Sequence, residues 1–435
     1  MTAPRVLTLT AIPVAWTPGT NGVVNAGIVV APMEKERDFD KWRGKLSGKI
    51  VLVSYPGTGS EPDKAAFRRY SSEDLGKLNE YDLPDYSPGR IEQMLKQADF
   101  AEKRDAFLKA EGAIAWVAIS YRDAGLISGE GYGYMAGQTP ALPGFQMMAE
   151  DYRRLARLAK TEAQPTLELL SDVSFHDEDV NAYNILADIP GTDPRAGYVM
   201  AGAHLDSWAA SDGATDNGAG SVVVMEAARI LAKMGVRPKR TIRFALWNGE
   251  EQALLGSLAY VEKYLATRAP ITDPAKAKLN PYYTWRTRWP ITPKPGAKDL
   301  AAYFNLDNGS GKIRGIYAEG NPAVVPIFRD WLTPFNSMGA TTVAMAPTGG
   351  TDHVFMQAVG IPGFQFIQDP LDYGSRTHHS NVDSYDHLKI DDLRQAAVIM
   401  ASFLLNAANR AEPLPRMPLP SQPKPTDPFE YPKED

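Results

Sequence analysis

From Asn181 onward, apolar β-type runs alternate with amphipathic helix-like runs, and few folds accept that order. "YNILADI" and "GYVMAGAHLDS" read as strands parted by the turn "PGTDPRA". "AGSVVVMEAARILAKM" reads as a helix, "RTIRFALW" as a strand and "ALLGSLAYVEKYLA" as a second helix. "LAAYFNLD" and "IPGFQFI" are further strands, and "PAVVPIFRDWLTPFNSMG" is a helix broken at Pro334. "IDDLRQAAVIMASFLLNAANRA" is a long amphipathic helix. Such alternation predicts an α/β fold, with a mixed, mainly parallel central sheet flanked by helices. Ligands in such sheets bind beyond the carboxyl ends of the strands, so polar residues there carry the candidate chemistry.

Residues 1–178 have a different rhythm. "VNAGIVVA", "GKIVLVSY", "AIAWVAIS" and "PTLELLSDVSF" are short β-type runs, and Arg90 to Glu111 is a helix ended by Gly112. Between Gly57 and Gly89 the chain is polar and matches no element, while "ISGEGYGYMAGQTPALPG" is glycine-rich and loop-like. The last residues are too proline-rich for a core. The expected organisation is a small β-rich unit at 1–178, an α/β unit at 179–412 and a tail at 413–435, in keeping with 435 residues.

The chain has no cysteine, so disulfides and thiolate sites are excluded and any metal must be held by His, Asp and Glu. A net charge of -6 lacks the basic footprint of a nucleic-acid binder. No apolar run reaches the roughly 18 residues of a membrane span. The start, "MTAPRVLTLTAIPVAW", lacks the pattern of a signal peptide. The expected location is periplasmic or secreted if a signal peptide has been removed, and otherwise cytoplasmic.

Polar clusters follow the strands of the second unit. His204 and Asp206, two apart, share a strand face. Asp212 and Asp216 lie in "SDGATDNGAG", where Asp216 is equally suited to cap the next helix. Glu250 and Glu251 stand side by side after "RTIRFALW", a pair that a solvated loop would also explain. Asp307 ends the strand "LAAYFNLD". His378, His379, Asp383 and Asp386 share the loop "GSRTHHSNVDSYD", in a chain with only six histidines. Asp352 and His353 in "GGTDHVF" would shape the pocket or cap the helix that follows, the cap being the favoured role for Asp352, and His176 and His387 read as surface residues.

The order HxD, D, EE, D and H before SxxD resembles the di-zinc exopeptidases of peptidase clan MH, a group of bacterial zinc aminopeptidases, carboxypeptidase Q and glutamate carboxypeptidase. The likeness runs from about Tyr183 to Ala411 and is nearest to the carboxypeptidase Q branch, where HLDSW and a doubled histidine also occur. "LSGKIVLVSYPG" and "LPGFQMMAEDYRRLARL" resemble the protease-associated domain of that branch. Relatives carry a helical segment ahead of it that is missing here, which leaves the native N-terminus open.

The resemblance implies two zinc ions, with cobalt or manganese as substitutes. His204, Asp216 and Asp307 would hold one; Asp216, Glu251 and His379 would hold the other, Asp216 bridging. Glu250 would be the general base, Asp206 would orient His204, and His378 or Tyr373 would steady the oxyanion. The implied partner is a peptide or dipeptide, with no nucleic acid, no membrane and a homodimer as the assembly. Aminopeptidase or dipeptidase action is the expected activity. Alternatives are a carboxypeptidase of the glutamate type, an inactive receptor-like protein on the same fold, and a single-zinc glutaminyl cyclase. Arg376 would suit a substrate carboxylate and Asp212 a substrate amine.

Overall fold

The computed structural model describes residues 1–60, 62–80, 89–131, 137, 142–285 and 288–419. Most of the proline-rich tail and part of the glycine-rich stretch expected as a loop lie outside these residues.

The described strands form two large sheets. The first contains β1 (Ala11–Pro13), β2 (Val24–Val30), β3 (Ile50–Leu52), β4 (Ala115–Ile119), β5 (Gly144–Met147) and β6 (Thr166–Leu169), ordered β1-β5-β4-β3-β2-β6. Its four inner strands run parallel, and β1 and β6 close the edges antiparallel. Side chains of β3 alternate between two cores, because successive strand residues face opposite ways. Ile50 and Leu52 pack with Tyr152 and Leu155 of helix Ala149–Leu158. Val51 packs with Phe107 and Leu108 of helix Arg90–Ala110.

Next in the chain come β7 (Ile185–Ile189), β8 (Tyr198–His204) and β9 (Thr241–Trp247), then a two-stranded ribbon of β10 (Ala266–Arg268) and β11 (Ile291–Pro293). The series ends with β12 (Leu300–Asn305), β13 (Ile313–Tyr317), β14 (Thr342–Ala344) and β15 (Gly363–Gln368). The second sheet is ordered β14-β13-β15-β12-β8-β9-β7. Its centre, β15-β12-β8-β9, is parallel, while β7 and β13 pair antiparallel to their inner neighbours. This is the mixed, mainly parallel sheet expected from the sequence.

Both faces of that sheet are covered. Val199, Ala201 and Phe244 pack against helices Ala219–Lys233 and Ile390–Asn409. Met200, Trp247 and Tyr303 pack on the other side with Leu258, Val354 and Phe355. Each such large apolar side chain contributes about 1.5–3 kcal/mol when fully buried. Buried Arg240 donates to the carbonyls of Ala407 and Arg410, which end the last helix without intrahelical partners.

Two structured stretches are not assigned from the sequence. "IRGIY" is strand β13, although Arg314 and Gly315 interrupt its apolar run. A Cβ on Gly315 would collide with the carbonyl of Thr342 on the paired strand, so close backbone packing replaces the missing side chain. The stretch after Gly57 also has structure. Ser71 caps helix Ser72–Lys77, Arg68 bridges to Leu371, and Arg69 pairs with Asp369 at 2.8 Å and Asp392 at 2.7 Å. Residues 68–77 therefore dock against the second sheet.

Candidate metal centre

Four neighbouring parallel strands deliver the acidic and imidazole groups. β8 ends on His204, β9 leads into Glu250 and Glu251, Asp307 lies just past β12, and the loop after β15 carries His378 and His379. Asp216 comes from the loop between β8 and the helix Ala219–Lys233. It is not that helix's cap: Gly218 occupies the cap position, and Asp216 turns into the cluster.

Nε2 of His204 lies 3.2 Å from Asp216 Oδ1 and 3.3 Å from Asp307 Oδ1. Nε2 of His379 lies 2.9 Å from Glu251 Oε2 and 3.4 Å from Asp216 Oδ2. Asp216 thus faces one histidine with each oxygen. Glu250 Oε2 is 3.9 Å from His204 Nε2. His378 stacks on His379 with ring centroids 3.8 Å apart, and its Nε2 is 3.9 Å from Asp216 Oδ2.

Both histidines that face the carboxylates are fixed through the other ring nitrogen. Nδ1 of His204 donates to the backbone carbonyl of Asp206 at 2.9 Å. The Asp206 carboxylate is 3.6 Å from that nitrogen. It takes instead the backbone N–H of Glu250 and of Glu251, each at 3.2 Å. Asp206 therefore orients His204 through its main chain and the glutamate pair through its side chain. Nδ1 of His379 meets Glu130 Oε1 at 3.0 Å. Asp383 holds Asp216 in turn, accepting its backbone N–H at 2.9 Å and that of Thr215 at 2.7 Å.

The electrostatics are those of a cation site holding protons. Burial lifts Glu250 well above the carboxylate range, with Asp307, Asp352 and Glu251 adding to it against His204. Burial also raises Glu251 to about 7. Burial alone would lower His379, but Glu130, Glu251 and Asp216 outweigh it and lift the imidazole to about 10. His204 is raised well above its ordinary value in the same way, with Asp307 the largest opposing influence to burial. Asp307 stays depressed despite burial because His204 and Thr351 favour its ionised form. Burial and the charge of His379 push His378 down.

A divalent cation fits this set. Asp216 Oδ2 and both oxygens of Glu251 are buried without a hydrogen bond; the short approach of Glu251 to His379 lacks hydrogen-bond geometry. Oxygen and imidazole donors with fixed outer partners suit zinc. Ligand atoms of His204, Asp216 and Asp307 lie within 4.8 Å of one another, as do those of Asp216, His378 and His379.

The sequence profile of peptidase family M28 matches residues 184–404. The chain belongs to peptidase family M28. Human carboxypeptidase Q is 25% identical to it over 350 residues, 80% of this chain and 66% of that protein. Leupeptin-inactivating enzyme 1 of Streptomyces exfoliatus is 30% identical over 190 residues, 43% of this chain and 36% of that one. The chain thus spans just under two thirds of the length of carboxypeptidase Q. Among solved structures, a peptidase M28 precursor from Shewanella amazonensis superposes with a TM-score of 0.58 at 21% identity, covering 97% of this chain and 82% of that one. The zinc aminopeptidase BSAP of Bacillus subtilis gives 0.51 at 19% identity, covering 92% and 79%. These likenesses establish the M28 fold.

Several residues of this M28 chain sit differently from their sequence reading. Asp352 stands at the cap position of its helix as expected, but its side chain makes no capping bond; Oδ1 takes the hydroxyl of Ser257 at 2.5 Å. His387 is half-buried, with Nδ1 2.7 Å from Asp372 Oδ2, whereas His176 is exposed as expected. Arg376 and Asp212 are exposed, outside the cavity of about 410 Å³ beside the cluster. Glu130 went unmarked because its loop carries no pattern; only the tertiary fold brings it to His379. Among the described residues no helix is long and apolar enough to cross a membrane.

Proposed function

We propose that the chain is a co-catalytic two-zinc exopeptidase that removes N-terminal residues from peptides or splits dipeptides. The observation that carries this reading is the paired cluster. Two histidines, each held through Nδ1, face the two oxygens of a shared carboxylate whose Oδ2 is buried without a hydrogen bond, with Glu250 raised beside them. His204, Asp216 and Asp307 would hold one ion, and Asp216, Glu251 and His379 the other. Bound zinc supplies a Lewis acid for the scissile carbonyl and a water made acidic near neutral pH.

The chain's own groups do the rest. Glu250 removes a proton from the attacking water and passes it to the departing amine nitrogen. Burial raises the proton affinity of its carboxyl well above that of an exposed glutamate. The hydroxyl of Tyr373, which lines the cavity with His378, donates to the carbonyl oxygen as negative charge gathers there.

Aminopeptidase or dipeptidase action is favoured over the carboxypeptidase alternative by the cavity wall. Its described lining includes Asp216, Glu250, Asp307, Asn280, Tyr282 and Tyr283, and neither lysine nor arginine. The acids of that wall are taken up by the ions and the base, and without a lysine or arginine the described lining gives a free carboxylate no cationic side chain. The separate sheet and cores of residues 11–169 support a first unit at 1–178 as a protease-associated domain, ahead of the peptidase unit at 179–412; of the 413–435 tail, Leu414 still packs into the core of the second sheet.

The test is a panel of free and N-acetylated dipeptides assayed with zinc-loaded and chelator-stripped protein. Hydrolysis should need zinc and a free amine. Equal cleavage of the acetylated set would reject the aminopeptidase reading, and activity without metal would reject the zinc reading.

A further inference from the structure

We propose that Glu130, on the loop between β4 and β5 of the first sheet, is a positioning residue for His379, so that one of the two metal positions depends on the N-terminal unit. This rests on the two-zinc reading above. The two histidines are held in unlike ways. His204 spends its Nδ1 proton on the carbonyl of Asp206, two residues away at the end of its own strand. His379 has Nδ1 3.0 Å from the carboxylate of Glu130, 249 residues earlier in the chain.

The backbone at His379 needs outside support. Its φ is +51°, in the left-handed region that side chains with a Cβ seldom adopt. The same N-terminal loop supplies that support. Ile127 N–H donates to Asn381 Oδ1 at 2.9 Å, and Asn381 N–H donates back to the Ile127 carbonyl at 2.9 Å. Arg122 Nη1 donates to the carbonyl of Arg376 at 3.2 Å. Residues 122–130 therefore clamp residues 376–381 on both sides of the doubled histidine.

Glu130 sets two properties of the ring. A carboxylate at Nδ1 keeps a proton on that nitrogen, so that Nε2, which faces Glu251 and Asp216, is the nitrogen that would give up its proton and lend its lone pair to a cation. It also stops the ring from turning out to solvent, since His379 is part-exposed while His204 is fully buried. Loss of such an outer partner typically weakens metal binding by about 10- to 100-fold. The fold thus gives one position whose histidine is held within the peptidase sheet and another that is complete only when the first sheet is seated.

The experiment titrates zinc into metal-free wild type, Glu130→Ala, Glu130→Met and Glu130→Gln, following chelator competition and the visible spectrum of the cobalt-substituted protein. Wild type should take up two ions. Ala and Met remove the acceptor and should weaken one ion by about 10- to 100-fold while leaving the other unchanged. Gln keeps an acceptor oxygen without the charge and should fall between. Unfolding midpoints of the metal-free proteins should coincide, and Met, which keeps the side-chain length, decides if Ala does not fold. Uptake of both ions at wild-type affinity in the Ala or Met variant overturns the proposal, as does equal weakening of both. A wild type that binds no zinc overturns the two-zinc reading itself.

Discussion

The carboxylate of Asp206 accepts the backbone N–H of Glu250 at 3.2 Å. Its other oxygen accepts that of Glu251 at the same distance. One acid at the end of β8 therefore sets the turn after β9 that carries both the proposed base and a proposed ligand. Asp206→Ala frees both N–H groups while leaving the main-chain carbonyl that fixes His204. Turnover should fall by about 10- to 100-fold, with zinc retained at the His204 position. Steady-state kinetics with a metal count checks this; wild-type kcat in the variant would remove the role.

Glu250→Gln tests the proton step. The amide has the size of the acid and cannot take a proton. kcat should drop by about 10²–10⁴-fold, the usual worth of a placed acid–base group, with the zinc content unchanged. Near wild-type turnover at full metal content would exclude Glu250 as the base.

The metal-free protein should be more stable in mild acid than in mild base. Burial lifts Asp352 from an ordinary 3.8 to about 7, and Glu251 likewise from 4.5 to about 7. Both groups bind more protons folded than unfolded, so their contribution is full only below their ordinary 3.8 and 4.5 and is lost as the pH rises through about 7. His379, raised from 6.5 to about 10, carries the same sign through higher pH. His378, lowered from 6.5, runs the other way in this range and is outnumbered, while depressed Asp307 acts only in stronger acid, below about 3.8. Zinc should reverse the trend, because its ligands must shed their protons to bind. Melting curves at pH 5 and 8, with and without zinc, decide it; a stripped protein more stable at pH 8 contradicts it.

The second sheet was largely legible because its strands and helices are long and strongly patterned, as "GYVMAGAHLDS" and the run from Ile390 show. β13 was not, since Gly315 is chosen by backbone contact with Thr342 and leaves no apolar signature. His204, Asp216, Glu251, Asp307 and His379 stand out as a set through the order of their motifs and its resemblance to a known family, since each cluster alone has a plainer reading. Of their outer partners, Asp206 was expected to orient His204, but the way it does so was not legible. Asp206 acts through its backbone on one neighbour and its side chain on others, a choice that depends on rotamers. Glu130 meets His379 only after two sheets pack together.

Tyr373 should act as a neutral donor. Burial, and the carboxylates of Asp216, Asp307, Glu250 and Glu251, hold its phenol proton well above the ordinary range. Its ring meets His378 edge-on at 5.1 Å. Tyr373→Phe keeps that packing and removes the hydroxyl. kcat should fall by about 10²–10³-fold with little change in KM, as expected for a donor used only when charge develops on the carbonyl oxygen. A rise in KM alone would instead make Tyr373 a binding residue.

Phe403 should matter for stability and not for chemistry. It is fully buried on the last helix. Its ring lies 5.9 Å from Phe304, 5.3 Å from Phe366 and 5.4 Å from Trp331, which joins that helix to two strands of the second sheet and to a neighbouring helix. Phe403→Ala leaves a cavity that these rigid rings cannot close, at a cost of about 3–5 kcal/mol. The strands it braces include β12, whose end leads to Asp307, yet no atom of Phe403 is needed to hold a cation. The variant should unfold at clearly lower denaturant while the folded fraction keeps its zinc and its kcat. Loss of zinc before unfolding would show that the metal centre depends on this core more directly than the packing implies.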